Sequence, residues 1–167
     1  MVICIDVGHG TDTFDKTGGK GIKGVIEENT LNALVAVDLF KKLSNLKGVK
    51  VMYAQKPDMT DIILSKRVEI SNENKADLFI SIHHDASSNP EKNGFTFYKW
   101  HTNDETKKLC ESMTSYLKAF GAKANSLNIQ GCKPDNWNNF YVVRETKAPA
   151  ILLECGFFTN KKDTARN

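Results

Sequence analysis

The sequence predicts a three-layer α/β domain in which a mostly parallel β-sheet is flanked by helices. Two observations favour this class. Short β-rich segments alternate with helical segments through most of the chain, and this order is typical of parallel sheets with helical connections. In addition, residues 78–82 are apolar at all but one position, as expected for a strand that is covered on both faces.

The predicted elements of the first half begin with a β-rich segment and alternate between the two types. In order, they are a strand over residues 2–5, a loop rich in Gly, Thr and Asp that extends to about residue 24, a helix over 28–43, a strand over 49–54, a helix from its cap Thr60 to about residue 74, and the apolar strand over 78–82. The helix over 28–43 has apolar residues at helical spacing over much of its circumference, which indicates extensive burial.

The second half continues the alternation with one interruption. In order, we predict a strand over residues 95–100, a helix over 104–120 capped by Asn103 or Thr102, a polar irregular stretch over 121–139, a short strand over 140–143, and a last strand over 150–154. We interpret the irregular stretch as a loop beside a substrate groove.

The composition supports one folded domain over residues 1–167. Apolar residues make up 40% of the chain, charged residues make up 26%, and the formal net charge is +3. A chain of this size buries roughly 70% of its unfolded surface and can form a core without disulfide or metal staples. The four cysteines are far apart and include no Cys-x-x-Cys pair, which favours buried free thiols.

The charge and hydropathy patterns argue against two kinds of partner. A small positive excess without a basic stripe indicates no nucleic-acid partner. The longest apolar stretch, residues 150–158, is interrupted by Glu154 and is far shorter than the roughly 20 residues of a transmembrane helix. The first residues lack a basic segment and reach Asp6 before an apolar core is complete. We therefore expect neither a membrane span nor a signal peptide in this chain.

Side chains that bind metals or transfer protons occur at the ends of three predicted strands. His9 follows the first strand, His83 follows the central apolar strand, and Glu154 ends the last one, while Glu28 starts the first helix. Ligands of open α/β sheets bind at the carboxyl ends of the strands. Two imidazoles and one carboxylate are a recurring catalytic zinc set, and a second carboxylate can serve as the base.

Spacing alone leaves a simpler explanation open for most of these residues. A single His after a strand is more often a hydrogen-bonding loop residue, and a Glu in the first turn of a helix commonly interacts with the helix dipole. Glu154 is harder to explain in this way because it lies within an apolar segment, where a carboxylate is costly to bury without a partner.

Several motifs that occur in a fixed order carry a family resemblance over nearly the whole chain. They are Asp6-Val7-Gly8-His9-Gly10, Glu28 with Asn32 four residues later, Arg67-Val68 with Asn72, residues 76–83 with the sequence Ala-Asp-Leu-Phe-Ile-Ser-Ile-His, Gly94-Phe95, residues 139–146 around Val143-Arg144, and residues 149–157. Together they resemble the zinc-dependent N-acetylmuramoyl-L-alanine amidases of the type-3 amidase family, which cleave bacterial peptidoglycan. Val7 stands where that family has proline, and His84-Asp85 stand where a small residue and Asn are more typical.

The resemblance implies hydrolysis of the amide between N-acetylmuramic acid and the L-alanine of the stem peptide. It implies that His9, Glu28 and His83 hold Zn²⁺ and that Glu154 accepts a proton and returns it to the leaving amine. Arg144 either helps to stabilise the oxyanion or forms a surface ion pair.

Several further residues keep two interpretations. Asp6 either orients His9 or forms a turn. Trp100 and Trp137 either stack on sugars or pack within the protein. His84 and Asp85 either contact substrate or cap the strand.

The resemblance also implies a setting for the chain. The expected partner is bacterial peptidoglycan, and the expected place of action is the cell wall, with the chain working as a monomer. Because the family has a final helix after the Gly-Phe segment, we interpret the chain as a truncated catalytic domain that precedes that helix or a wall-binding module. It is expected to come from a phage endolysin released by host lysis or from an excised autolysin domain. The alternatives are a zinc peptidase that acts within stem peptides, a non-catalytic wall-binding domain, and a purely structural zinc site, which would more commonly have four ligands rich in cysteine.

Overall fold

The computed structural model describes residues 1–13 and 27–165. The elements within these residues, in chain order, are β1 (Val2–Val7), α1 (Glu28–Ser44), β2 (Lys50–Tyr53), α2 (Leu64–Glu73), β3 (Leu78–Asp85), β4 (Phe95–Trp100), α3 (Asp104–Ala119), β5 (Ala124–Cys132), α4 (Tyr141–Glu145), β6 (Ala150–Phe157) and α5 (Lys161–Thr164). Most of the loop that was predicted to extend to about residue 24 lies outside the described residues.

The six strands form one sheet in the order β2-β1-β3-β6-β4-β5. Strands β2, β1, β3 and β6 run parallel to one another, while β4 is antiparallel to β6 and parallel to β5. The prediction of a mostly parallel sheet is confirmed. The strands that carry the predicted site residues, β1, β3 and β6, are adjacent and parallel, so their carboxyl ends meet at one edge.

Alternate residues of the strands enter two separate cores. On one face, Ile80 and Ile151 pack in a cluster that contains Ala36 of α1 and Cys110 of α3. On the other face, Phe79 packs in a cluster with residues of α2 and α4. Because successive side chains of a strand point to opposite faces, a strand between two helical layers must be apolar on both. This explains the continuous apolar pattern of β3 and confirms the three-layer prediction.

The second helix begins later than the sequence predicts. Thr60 does not cap it, because α2 begins at Leu64 with Ile63 at the N-cap position. The segment before the helix is held by the buried side chain of Gln55, which donates to the carbonyl of Thr60 at 3.2 Å and accepts from the amide of Ile62 at 3.1 Å. These bonds satisfy backbone groups without a helical turn.

The stretch that was predicted to be irregular contains a strand. Residues Ala124–Cys132 form β5, which pairs with β4 and lies at the edge of the sheet formed by the described strands. Most of its side chains are partly or fully exposed. An edge strand with little burial lacks the apolar alternation that identifies strands in a sequence, and the prediction failed for that reason.

The predicted short strand over residues 140–143 is wrong, because residues 141–143 lie in helix α4 and Phe140 is its N-cap. The amide of Arg144 donates to the carbonyl of Phe140 at 3.0 Å, and Val142 and Val143 are buried against the second face of the sheet. A four-residue apolar run fits a strand and a buried helix equally well. Packing against the sheet decides between them.

After β6, the chain continues into a short helix, α5. The side chain of Asn160 accepts hydrogen bonds from the amides of Lys162 and Asp163 at 2.9 and 3.1 Å. The buried carboxylate of Asp163 accepts from the amides of Gly94 and Phe157 at 2.8 and 2.9 Å. It therefore connects α5 to β4 and β6. The prediction that a longer final helix lies beyond this chain stays a prediction.

Two further predictions concern the whole chain. All four cysteines are free; Cys4, Cys110 and Cys132 are buried, and Cys155 is partly buried, as expected from their spacing. Within residues 1–13 and 27–165, no helix combines the length and the apolar character that crossing a membrane requires.

Candidate metal centre and active site

The candidate site lies at the carboxyl ends of three adjacent strands. His83 of β3 is in register with Glu154 of β6. Val7 is in register with Ile82, so the turn after β1 that carries His9 lies beside the end of β3. On the far side of Glu154, Thr96 of β4 is its register partner. The sheet therefore places residues from distant parts of the sequence next to one another.

The turn that carries His9 depends on the absence of a side chain at Gly8. The amide of Gly8 donates to the carbonyl of Ile82 at 2.8 Å. A Cβ atom at Gly8 would lie 2.5 Å from Cε1 of His83 and 2.6 Å from that same carbonyl oxygen. His9 itself has a left-handed backbone with φ of 64°, a conformation that is uncommon for a residue with a side chain. The Gly-His sequence thus brings the imidazole of His9 against His83.

Glu28, the first residue of α1, lies between the two histidines. Its Oε2 is 3.0 Å from Nε2 of His9, and its Oε1 is 2.9 Å from Nδ1 of His83. One ligand atom from each of the three side chains lies within 4.8 Å of the others, so the group can hold a metal ion. The structure therefore brings together the three residues that the sequence selected as a ligand set.

Electrostatics within this group favour a charged carboxylate. Burial alone would raise the pKa of Glu28, but the hydrogen bonds and charges of His83 and His9 outweigh burial and hold the pKa well below its ordinary value. Burial alone would lower the pKa of His9, but the hydrogen bond and the charge of Glu28 raise it above its ordinary value. The carboxylate of Glu28 is therefore held between the two imidazoles.

Glu154 lines the same cleft as the histidines and Glu28. Its Oε2 atom is buried and has no hydrogen-bond partner in the part of the chain that the structure describes. Burial and the nearby carboxylates of Glu28 and Asp85 raise the pKa of Glu154 well above its ordinary value. A buried carboxyl oxygen with free lone pairs, beside a possible metal site, has the properties of a proton acceptor.

The fold and this arrangement were compared with known proteins. A model of the N-acetylmuramoyl-L-alanine amidase family matches residues 3–166. The chain belongs to this family. A Staphylococcus epidermidis protein named "Probable cell wall amidase LytH" is 32% identical over 162 residues, and the Staphylococcus aureus protein of the same name is 29% identical over 161 residues. Each alignment covers 96% of this chain but 49% of the relative, so the chain spans about half the length of these curated relatives.

Solved amidase structures share the fold. The N-acetylmuramoyl-L-alanine amidase of Clostridium difficile 630 superposes with a TM-score of 0.80 at 28% identity and covers 99% of this chain and 84% of its own. The catalytic domain of CwlV, an amidase from Bacillus (Paenibacillus) polymyxa var. colistinus, gives a TM-score of 0.76 at 28% identity, covering 98% of this chain and 84% of its own. The predicted family resemblance and fold class are confirmed.

The environment of Asp6 in this amidase-family chain differs from that expected of a residue that orients His9. Its carboxylate accepts from Nη1 of Arg67 at 2.9 Å and from Oγ of Ser81 at 2.7 Å, rather than from His9. The same Nη1 atom also donates to the carbonyl of Val7 at 2.8 Å. Asp6 and Arg67 therefore form a buried ion pair that supports the end of β1.

Arg144 is engaged elsewhere in the structure. Its Nε atom is 2.6 Å from a carboxylate oxygen of Glu145, and Nη1 is 2.5 Å from Oδ1 of Asn139. These contacts correspond to the ion-pair interpretation, and the role of Arg144 at the oxyanion stays a prediction. The Tyr141 ring, 5.4 Å from the guanidinium carbon, lines the cleft.

The remaining residues with two interpretations fall into different environments. His84 is buried, with Nδ1 2.8 Å from Oδ1 of Asn32. Asp85 lines the cleft, and its carboxylate accepts from the amide of Ala86 at 2.7 Å. Trp137 is 76% exposed and makes an edge contact with Phe140, whose side chain also lines the cleft.

Sequence reasoning missed the apolar walls of the cleft. They are formed by Leu64, the first residue of α2, by Phe140 and Tyr141, the N-cap and first residues of α4, and by Phe158 after β6. Apolar side chains at element boundaries, here one exposed and three partly buried, look like ordinary surface residues in a sequence. Only their arrangement around Glu154 distinguishes them.

Proposed function

We propose that this chain is a peptidoglycan hydrolase that cleaves the amide between N-acetylmuramic acid and the L-alanine of the stem peptide. In this proposal His9, Glu28 and His83 hold Zn²⁺, and Glu154 is the catalytic proton acceptor. The observation that carries the proposal is the convergence of these three side chains beside a buried Glu154 oxygen without a hydrogen-bond partner. Membership of the amidase family supports the choice of substrate.

The donor set fits zinc. Imidazole nitrogen and carboxylate oxygen are ordinary zinc donors, and three protein ligands are the usual number at a catalytic zinc. The pKa of Glu28 is held low, so the carboxylate is charged and ready to bind a cation at neutral pH. When bound, zinc supplies a Lewis acid for the scissile carbonyl and lowers the pKa of water toward roughly 7.

Glu154 would move the proton that hydrolysis requires. Its Oε2 has no competing partner within the described residues, so it can accept a proton as water adds to the carbonyl carbon. When the C–N bond breaks, the same oxygen returns the proton to the nitrogen of the leaving L-alanine. The immediate products are the lactyl carboxylic acid of the sugar and a peptide with a free amine, and the acid proton then passes to that amine to give a carboxylate and an ammonium group, so atoms and charge balance.

The raised pKa of Glu154 suits both steps. Burial and the neighbouring carboxylates favour its neutral form, while a cation held by the nearby ligand set would favour the charged form. A carboxyl group under both influences can take up a proton in one step and release it in the next. A carboxylate in open solvent would be a weaker base.

The other parts of the proposal concern the oxyanion, the assembly and the place of action. Arg144 would stabilise the oxyanion only after exchanging its contacts with Glu145 and Asn139. A monomer suffices, since every residue of the proposed site belongs to one chain. The staphylococcal relatives are named cell wall amidases, and we propose the cell wall as the place of action here also.

The direct test is digestion of purified peptidoglycan followed by mass analysis of the products. Wild type, Glu154→Gln and the control Glu111→Gln, which alters an exposed residue of α3, are each assayed with and without a chelator. The proposal predicts stem peptides that begin with L-alanine, lost on chelation and in Glu154→Gln but retained in Glu111→Gln. Cuts within the peptide would instead indicate a peptidase, and binding without cleavage would indicate a wall-binding domain.

A further inference from the structure

The side chain of Asn32 contacts all three segments that carry the proposed metal ligands. It is fully buried in α1, one turn after Glu28. Its Nδ2 atom donates to the carbonyl of Gly8 at 3.0 Å and to Oε1 of Glu28 at 3.2 Å. Its Oδ1 atom is 2.8 Å from Nδ1 of His84. One amide group therefore links the residue before His9, the ligand Glu28 itself, and the residue after His83.

The hydrogen-bond partners define the orientation of this amide. The carbonyl of Gly8 and the carboxylate of Glu28 can only accept, so the NH₂ group of Asn32 must face both of them. Its oxygen must then face His84, and Nδ1 of His84 must carry a proton to donate to that oxygen. Each polar atom of the Asn32 amide thus has a chemically matched partner.

The geometry has a direct consequence for the ligand set. Oε1 of Glu28 accepts from the backbone amide of His84 at 3.2 Å as well as from Asn32. These two donors fix the carboxylate while it contacts the histidine ligands. A neighbouring amide, that of Asn29, also approaches the turn, but at the longer distances of 3.4 and 3.3 Å to the carbonyls of Gly8 and His9. Asn32 is the more firmly bound of the two.

We propose that Asn32 is a positioning residue that sets the affinity of the His9–Glu28–His83 site for its metal ion. The proposal rests on the function proposed above. Asn32 acts through other residues. Its hydrogen bonds fix the turn before His9, the side-chain conformation of Glu28 and the end of β3 relative to one another. Groups that orient metal ligands by hydrogen bonds affect metal affinity by about 10- to 100-fold when they are changed.

The test is the dissociation constant for Zn²⁺, measured by competition with a chromophoric chelator. Asn32→Asp keeps the shape of the side chain but replaces both N–H donors with a carboxylate oxygen that faces the Gly8 carbonyl and Glu28. We expect zinc affinity to fall by about 10- to 100-fold. The matched control is Asn72→Asp on α2, where Oδ1 accepts from the amide of Lys147 at 2.9 Å, away from the cleft. Its affinity should stay within about threefold of wild type.

The outcomes separate this inference from the proposed function. If wild type binds no zinc, the proposed function itself fails. If wild type binds zinc and folded Asn32→Asp binds it with unchanged affinity, the function stands and the role of Asn32 is refuted. Circular dichroism in the same buffer establishes that each variant is folded at the temperature of the titration.

If Asn32→Asp does not fold, a second pair of variants tests the hydrogen bond between Asn32 and His84. His84→Asn places an amide nitrogen near the position of Nδ1 and keeps the donor to Asn32, whereas His84→Leu removes that donor. We expect His84→Asn to retain zinc affinity and His84→Leu to lose about tenfold or more. Equal affinities for the two variants would overturn the proposal.

Discussion

The close approach of Gly8 to His83 makes Gly8→Ala a sharp test of the site geometry. The added Cβ would lie 2.5 Å from Cε1 of His83 and 2.6 Å from the carbonyl oxygen of Ile82. Ordinary van der Waals contact begins at 3.4 Å, so the two groups must separate by about 0.9 Å, the difference between 3.4 and 2.5. Because the carbonyl oxygen belongs to a central strand of the sheet, the turn itself has to move.

This displacement has two measurable effects. Overpacking of a buried site costs about 1–3 kcal/mol of unfolding free energy, which urea denaturation of the metal-free protein measures. A shift of roughly 1 Å in a catalytic group can cost about 100-fold in rate, so we expect kcat on peptidoglycan to fall by that order. Zinc affinity should fall as well, because the shift separates His9 from His83.

The matched control is Gly131→Ala in β5, where the nearest atoms to the added Cβ would be the Cβ and Cα of His101 at 3.1 and 3.3 Å. We expect that variant to lose less than about 1 kcal/mol and to keep wild-type activity. The reasoning about the Gly8 turn is refuted if Gly8→Ala matches Gly131→Ala in both stability and kcat.

Three further predictions concern buried charges. The amides of Gly94 and Phe157 both donate to Oδ2 of Asp163, and Asp163→Asn removes the negative charge that strengthens these two bonds, so we expect a loss of about 1–3 kcal/mol in urea denaturation. Arg67→Met leaves the carboxylate of Asp6 buried without its guanidinium partner, and a loss of about 3–5 kcal/mol is expected in the same assay. The folded pKa of Glu154 is raised, so its ionisation destabilises the metal-free protein as pH rises from about 4.5 toward that higher pKa. Glu154→Gln should therefore gain stability relative to wild type over this range and show little difference below it.

Each of these predictions has its own control and contrary result. For Asp163, the comparison is Asp58→Asn, an exposed position where no change is expected; equal stabilities of the two variants would show that Asp163 does not anchor α5. For Arg67, the double variant with Asp6→Asn should recover part of the loss, and strict additivity would contradict a coupled ion pair. For Glu154, a stability difference that is independent of pH between 4.5 and 8 would exclude a raised pKa.

The ligand set shows how far sequence reasoning reaches in this protein. His9, Glu28 and His83 were selected because each follows or starts a predicted element at the same edge of the sheet, and because the surrounding motifs resemble one family. The structure brings the three within metal-binding distance of one another. This proximity follows because parallel connections place the carboxyl ends of strands at one edge whatever the details of packing.

Predictions failed for segments whose structure depends on contacts with residues that are distant in the sequence. Residues 124–132 are a strand because β4 offers them a hydrogen-bonding edge, and their polar side chains carry no periodic signal. The run at residues 140–143 is apolar enough for a strand, but it packs as a helix on the second face of the sheet. The interactions of Asp6 were also unpredictable, since its partner Arg67 lies 61 positions along the chain.

What the sequence determined by itself was the alternation of elements, the apolar core strand, the identity of the chemical groups and the family. These are local properties of composition and order, and they survive without knowledge of contacts. Only the tertiary structure decided which polar groups meet. It leaves Oε2 of Glu154 without a partner among the described residues while it surrounds the Asn32 amide with three matched partners. Hydrogen bonds and desolvation depend on distances between segments that are remote in sequence, and folding alone sets those distances.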